Sequence, residues 1–307
     1  MTQNQGNLMK HSKKNRLETF GRTISLITTA FIVLIVLAIL YFVISKGIST
    51  FTQDGVTLGE FFTKKIWNPG TIDEMGTQLV GALPMIAGSF LVTFVSAIFA
   101  TPFALAAAIY MTEISPKTGK KILQPVVELL VGIPSVVYGF IGLTVVVPFV
   151  RSIFGGTGFG ILSATLVLFV MILPTVTSMS VDALQSVPRY YREASLAMGA
   201  TRWQTIYKVV LRAGMPGILT AVVFGMARAF GEALAVQMVI GNATLMPTSL
   251  VTPASTLTSI LTMSMGNTVM GTLENNVLWT LATILLLMAL FFNILTRWIG
   301  KKGAVKK

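Results

Sequence analysis

The sequence predicts an all-α, polytopic membrane protein with six transmembrane helices. Apolar residues make up 53% of the chain and charged residues 11%. Apolar stretches of membrane-spanning length recur along it, and the bases gather in short clusters between them. The formal net charge of +12 implies no nucleic acid, because the bases lie on no soluble domain. Membrane lipid is the environment the composition implies. The chain has no cysteine, which excludes disulfides and thiolate metal sites, and its single histidine, His11, lies in a polar tail where water solvates it. No metal, cofactor or catalytic residue is expected.

In chain order, residues 1–23 read as a basic cytoplasmic tail without the small-residue cleavage site of a signal peptide. The first span is expected over 24–46; residues 24–45 are uncharged and about 33 Å long as a helix. Residues 47–76, with the turn signal Trp67-Asn68-Pro69-Gly70, form an extracytoplasmic loop. Residues 77–299 form the core. Its second span, 79–111, contains Pro84 and Pro102 and is expected to tilt or kink, and a hydrophilic turn at 113–121 follows. The third span, 126–150, carries Glu128, Gly132, Pro134 and Gly139, a pattern of bending or close packing; Glu128 and Pro134 are candidates for a structural or path role.

The glycines from Gly155 to Gly160 suggest a nucleotide loop, but no strand precedes them, so a tight external turn is expected. The fourth span ends near Ser178, after Pro174. The fifth covers 215–240 and the sixth 277–299, with Trp279 and Trp298 about 28 Å apart at the two interfaces. Residues 241–270 carry no charge and many Thr, Ser and Met, so short helices or a re-entrant cap buried in protein are expected there, as an external gate. Asn242-Ala243-Thr244 is a glycosylation triplet in form only. Residues 300–307 are a second basic cytoplasmic tail. With both termini inside, and Lys46 and Arg297 counted at the membrane edges, 18 of the 23 Lys and Arg fall on the cytoplasmic side and four outside, and the remaining base, Arg228, lies inside the fifth span; this is the positive-inside asymmetry.

Two stretches carry function. Asp182 to Pro216 is a charged segment between apolar regions. Within it, Arg189 to Met198 forms a short helix with small residues on one side, stopped by Gly199 in a left-handed C-cap, and a second amphipathic helix follows. Glu193, Ala194, Ser195, Gly199, Val209 and Leu211 sit at the positions of the EAA loop, so this stretch resembles that of ABC importer permeases, the loop spanning 189–216. The resemblance implies a cytoplasmic ATPase docked there. Ser195 stands for Ala, Val209 for Ile, and Arg212 for Pro, with Pro216 expected to take over the break.

Arg228 and Glu232 are the second stretch. Four residues apart, they share a helix face and can pair. A charge inside a span is costly unless it faces protein or a water-filled path. The pair therefore either fixes helix packing or lines a solute path in which Arg228 attracts an anion. The residues from Glu128 to Gly139, Met171 to Thr175 with Asp182, and Arg228 to Val236 look like phosphate-specific ABC importer permeases of the PstC type. That likeness implies inorganic phosphate as solute, a second permease subunit of the PstA type as heterodimer partner, and two copies of a cytoplasmic ATPase of the PstB type. It also implies an extracytoplasmic phosphate-binding protein and a bacterial plasma membrane. A permease for sulfate or molybdate, or a secondary transporter using the pair as a charge relay, are the rival readings.

Overall fold

The computed structural model describes residues 13–73 and 76–303, so His11 and the extremities of both basic tails lie outside the described residues. Among those residues six helices are long and apolar enough to cross a membrane: Glu18–Thr52, Leu83–Ile114, Ser135–Phe154, Ile161–Gln185, Arg202–Phe230 and Leu273–Lys301. Together they make a multi-pass membrane protein, as the composition predicts.

Helix α1 (Lys13–Thr52) is one rod; the boundaries expected at residues 23 and 46 both fall inside it. A helix runs on past its apolar stretch because neither Gly21 nor Gly47 adds enough cost to stop it. The loop expected at 47–76 contains α2 (Leu58–Thr63) and a two-stranded antiparallel hairpin, β1 (Trp67–Ile72) and β2 (Gln78–Val80). A reciprocal capping box starts α2: Glu60 N donates to Thr57 Oγ1 at 3.2 Å and Thr57 N to Glu60 Oε2 at 3.1 Å. Phe61 is fully buried, with Phe51 and Trp67 edge-on to it.

The second span is α3 (Leu83–Ile109) with a π-helical end at Tyr110–Ile114. Pro84 sits in its first turn, where no N–H is lost, and Pro102 lies inside. A short α4 (Pro116–Thr118), a π turn (Gly119–Leu123) and α5 (Gln124–Gly132) follow. The third span does not begin near 126. Ile133 and Pro134 are extended, with ψ of 127° and 141°, because the residue before a proline is pushed out of the helical region. The span is α6 (Ser135–Ile141), a π turn (Gly142–Val146) and α7 (Val147–Phe154). The glycine-rich stretch is a turn, as expected, closed by Arg151 donating twice to Thr157 O.

The fourth span, α8 (Ile161–Gln185), extends beyond Ser178 and is more buried than any other span. It packs against α3, whose Val92, Ser96, Ala100, Ala104 and Ala108 are mostly small buried residues four apart. This is the spacing that lets helix backbones approach in a membrane. Ser96 Oγ reaches across to Thr165 O at 3.2 Å. After α9 (Arg189–Ala197), the fifth span begins with α10 (Arg202–Thr205), continues through a π turn (Ile206–Val210) and ends in α11 (Leu211–Phe230). The span therefore lies about ten residues earlier than expected. Its start is a capping box between Thr201 and Gln204, and Pro216 lies inside the helix without breaking it.

Residues 241–270, expected to fold into short buried helices, hold α13 (Leu257–Ser264) after α12 (Leu234–Ile240), with Ala254, Leu257, Ser259 and Ile260 buried. The sixth span is α14 (Leu273–Gly303). Trp279 is no free interface anchor: its ring meets Phe42 of α1 at 5.2 Å and its Nε1 donates to Asn275.

Helix α1 is held to α14 by backbone proximity at Gly47, where a Cβ would lie 2.2 Å from Thr283 Oγ1 and 3.0 Å from Trp279 O. Thr280 and Thr283 donate to the carbonyls of Gly47 and Val43. A Gly47→Val substitution is therefore expected to push the helices apart at a cost of about 1–3 kcal/mol, seen as a lowered melting temperature of the purified protein in detergent, with Gly47→Ala less severe.

Candidate functional site

Helix α9 lies at the end of the bundle where the second and fourth spans finish. Its N-cap is Pro188, and it ends in a Schellman motif: Ala200 N donates to Ser195 O at 3.2 Å and Gly199 N to Leu196 O at 3.0 Å. The motif needs a left-handed residue at Gly199, whose φ is +82°. Apart from its two chain neighbours, no atom of the described residues lies within 4 Å of where its Cβ would be, so the space beside it is open.

Glu193, Ala194 and Gly199 face outward, and around them Met198 is 88% exposed, with Leu196, Tyr190, Trp203 and Tyr207 also exposed. A patch of this size at a helix end marks a contact surface. Hydrogen bonding and charge from Tyr191 push the Tyr190 phenol above its ordinary pKa. The other motif residues are placed differently. Ser195 is turned inward, within hydrogen-bond distance of Thr205 Oγ1 at 2.9 Å. Val209 is half-buried in the π turn, and Leu211 packs on the cluster of Ala108, Leu184, Val187 and Val210. The six residues thus divide into an exposed part and a packing part.

The sequence reading passed over the side chain that holds α9 in place. The Arg192 guanidinium binds both oxygens of Glu113 at 2.6–3.2 Å, and donates to the carbonyls of Val187 at 2.7 Å and Leu184 at 3.0 Å. Beside it a cavity of about 520 Å³ is lined by Glu113, Lys120, Arg189 and Glu193. It shares Lys120 and Gln185 with one of about 340 Å³ lined also by Glu128 and Asp182. Glu128 is exposed and accepts from Gln124 Nε2 at 2.9 Å.

Arg228 is half-buried on α11, where its Nη1 donates to Thr175 Oγ1 of α8. The structure does not make the expected Arg228–Glu232 pair. The helix ends at Phe230, and Gly231 carries the chain out of it, so four-residue spacing no longer places the two side chains together. Glu232 Oε1 instead accepts from Ala235 N at 3.2 Å, satisfying a donor at the start of α12, while Glu232 O accepts from Thr258 at 2.8 Å. Tyr138, within electrostatic reach of Arg228, donates to Leu130 O at 2.7 Å across the break at Pro134. Pro134 itself is exposed at that break. Thr175 was quoted in the sequence only for its neighbours; its role comes from packing. Among the described residues no group of His, Cys, Asp and Glu is arranged to hold a metal.

Six spans, an outward-facing capped helix at one end and a membrane-embedded arginine define the membrane subunit of a multi-component transporter. The chain belongs to the family described as binding-protein-dependent transport system inner membrane component, which matches residues 100–303. It is 52% identical over 297 residues to a probable ABC transporter permease protein, YqgH, of Bacillus subtilis (strain 168), covering 96% of this chain and 95% of that one. It is 32% identical over 258 residues to the phosphate transport system permease protein PstC of Mesorhizobium japonicum, covering 78% and 77%. Among solved structures, the inward-facing MetNI methionine ABC transporter matches with a TM-score of 0.55 at 23% identity, over 72% of this chain and 95% of that one. A bacterial alginate ABC transporter matches at 0.57 and 16% identity, over 94% and 98%. These two establish the fold, that of a type I ABC importer permease.

The Thr175 contact is open to a direct check. Thr175→Val leaves a half-buried guanidinium N–H without its acceptor, with an expected loss of about 1–3 kcal/mol, read as a lower melting temperature, while Thr175→Ser stays near wild type.

Proposed function

We propose that this chain is the permease subunit through which an ATP-driven importer moves inorganic phosphate into a bacterial cell. The observation that carries the reading is the state of Arg228. Its guanidinium is held by a neutral hydroxyl and, among the described residues, joined to no carboxylate, so its charge is left to attract an anion. A charge kept unneutralised inside a span is expensive, and an anionic solute in transit supplies the missing partner. The PstC relatives favour phosphate among anions, whereas the methionine and alginate transporters of the same fold give no guide to the solute.

The distribution of bases puts α9 in the cytoplasm, with both termini, where a cytoplasmic ATPase of the PstB type, in two copies per complex, would seat on Met198, Leu196 and the open space at Gly199. This chain hydrolyses nothing itself. A second permease of the PstA type would cover the exposed side chains of α5 and α6, such as Leu129, Val136 and Phe140, closing a path past Arg228 between the two subunits. A phosphate-binding protein would deliver the anion from the other side, next to the hairpin and the α13 segment, which would act as the external gate. Glu232 keeps one carboxylate oxygen, Oε2, outside its hydrogen bonds. A protonated phosphate oxygen can donate to it and sulfate cannot, so Glu232 contributes to rejecting sulfate.

Radiolabelled phosphate uptake in a strain lacking other phosphate transporters tests this reading, with membrane abundance checked for each variant. Arg228→Gln is expected to lower uptake by about 30-fold or more, as for the loss of a charge-assisted contact of about 2 kcal/mol. Arg228→Lys is expected to restore only part of it, since the planar fork is gone. Wild-type uptake by Arg228→Gln would leave the arginine a packing device. Gly199→Asp forces a side chain into a left-handed conformation and into the docking space, so uptake and co-purification of the ATPase are both expected to be lost. For Glu232→Gln, sulfate is expected to compete about tenfold better against phosphate.

A further inference from the structure

The attachment of α9 to the bundle is mainly polar. No residue of α9 is fully buried; Tyr191 packs at the edge of the cluster of Leu184, Val187 and Ile206, and Ser195 shares a hydrogen bond with Thr205. The tie with the most contacts is one guanidinium. Arg192 uses Nε, Nη1 and Nη2 on both Glu113 oxygens and on the carbonyls of Leu184 and Val187. Glu113 ends the second span and Leu184 lies in the last turn of the fourth. The backbone carbonyl of Glu113 also accepts from Arg202 Nη2 at 2.9 Å, and Arg202 opens the fifth span. Three spans and α9 therefore meet at this pair.

Its side chains are 21% and 10% exposed, shielded well beyond a surface ion pair, which contributes little. The carbonyls of Leu184, in the last turn of α8, and of Val187, just beyond it, favour a cation by their dipole as well as by hydrogen bonding. Helix α8 is the same helix that holds Arg228 through Thr175, nine residues and so about 14 Å from Leu184 along a rigid rod. A displacement of α9 must either carry the ends of α3 and α8 with it or break a bidentate, charge-assisted contact.

We propose that the Arg192–Glu113 pair is the joint that transmits movement of the docked ATPase from α9 into the second and fourth spans, and through Thr175 to Arg228. It is a pair of positioning residues, touching neither phosphate nor nucleotide. The proposal rests on the reading of this chain as an ATPase-coupled phosphate permease, and it predicts uncoupling, in which the ATPase still binds and hydrolyses while transport fails.

The experiment is reconstitution of the complete complex, with its second permease, ATPase and binding protein, in liposomes, measuring ATP hydrolysed and radiolabelled phosphate moved in the same vesicles. Glu113→Gln removes the charge and keeps the shape. Arg192→Lys keeps the charge and loses the fork, and serves if the first variant assembles poorly. The expected result is retention of the ATPase with about a tenfold fall in phosphate moved per ATP for Glu113→Gln, and a smaller fall for Arg192→Lys. A merely structural role lowers both rates together and leaves their ratio unchanged; that result overturns the joint and leaves the permease reading standing. Loss of the ATPase from the Glu113→Gln complex overturns it too, because the pair would then be part of the dock. Failure of the wild-type complex to retain an ATPase overturns instead the reading on which the joint rests.

Discussion

The approach of α3 to α8 is the constraint from which the rest of the bundle follows. Membrane helices gain nothing from hiding apolar surface from lipid, so they associate where small residues allow dense packing and where a few polar groups meet. The seam of Ser96, Ala100, Ala104 and Ala108 provides the first, and the Ser96 hydroxyl on Thr165 O provides the second. With α8 placed, α11 packs on it through Gly225, where a Cβ would come within 2.6 Å of Val176, and Thr175 is brought to Arg228. Arg228 is thus located by residues that contribute little or no side chain.

Six spans were legible because an apolar stretch of twenty residues has few other uses. Their ends were not, since hydropathy marks where lipid begins and helices stop for other reasons. The fifth span shows both sides of this. Its apolar stretch suggested a start near Met215, whereas the helix is set by the Thr201–Gln204 capping box, a signal present in the sequence but outside the apolar window. Its end at Phe230 depends on Gly231 and on Glu232 satisfying the next helix, which single-residue propensities do not resolve. The hairpin of residues 67–80 escaped notice because it is short, and its only strong cue, Asn68-Pro69-Gly70, lies within β1.

The candidate site was legible where the chemistry is local and illegible where it is assembled. Gly199 could be read because a helix stopped by glycine is a matter of one backbone angle, and the structure places it at φ +82°. Arg228 stood out as a charge within an apolar span. The error lay in pairing it with Glu232, an inference valid only if the helix continued through Gly231. Thr175 and Glu113 could not be matched with Arg228 and Arg192 from the sequence, because those contacts join positions 53 and 79 residues apart.

The π turn at Ile206–Val210 has a further consequence for how this chain can vary. Such a turn is one residue more than an α-helix of the same height needs, and each residue of a helix turns it by about 100°. It therefore works as a phase shifter between the two halves of the fifth span. The half that begins at Arg202 meets α9 through Thr205, the half that contains Arg228 meets α8 through Thr175, and the extra residue sets the angular offset between them. Substitutions on either half leave that offset intact. Loss of a single residue anywhere from 206 to 210 would straighten the helix, keep its hydrogen bonding, and leave the two ends of the permease out of register with each other.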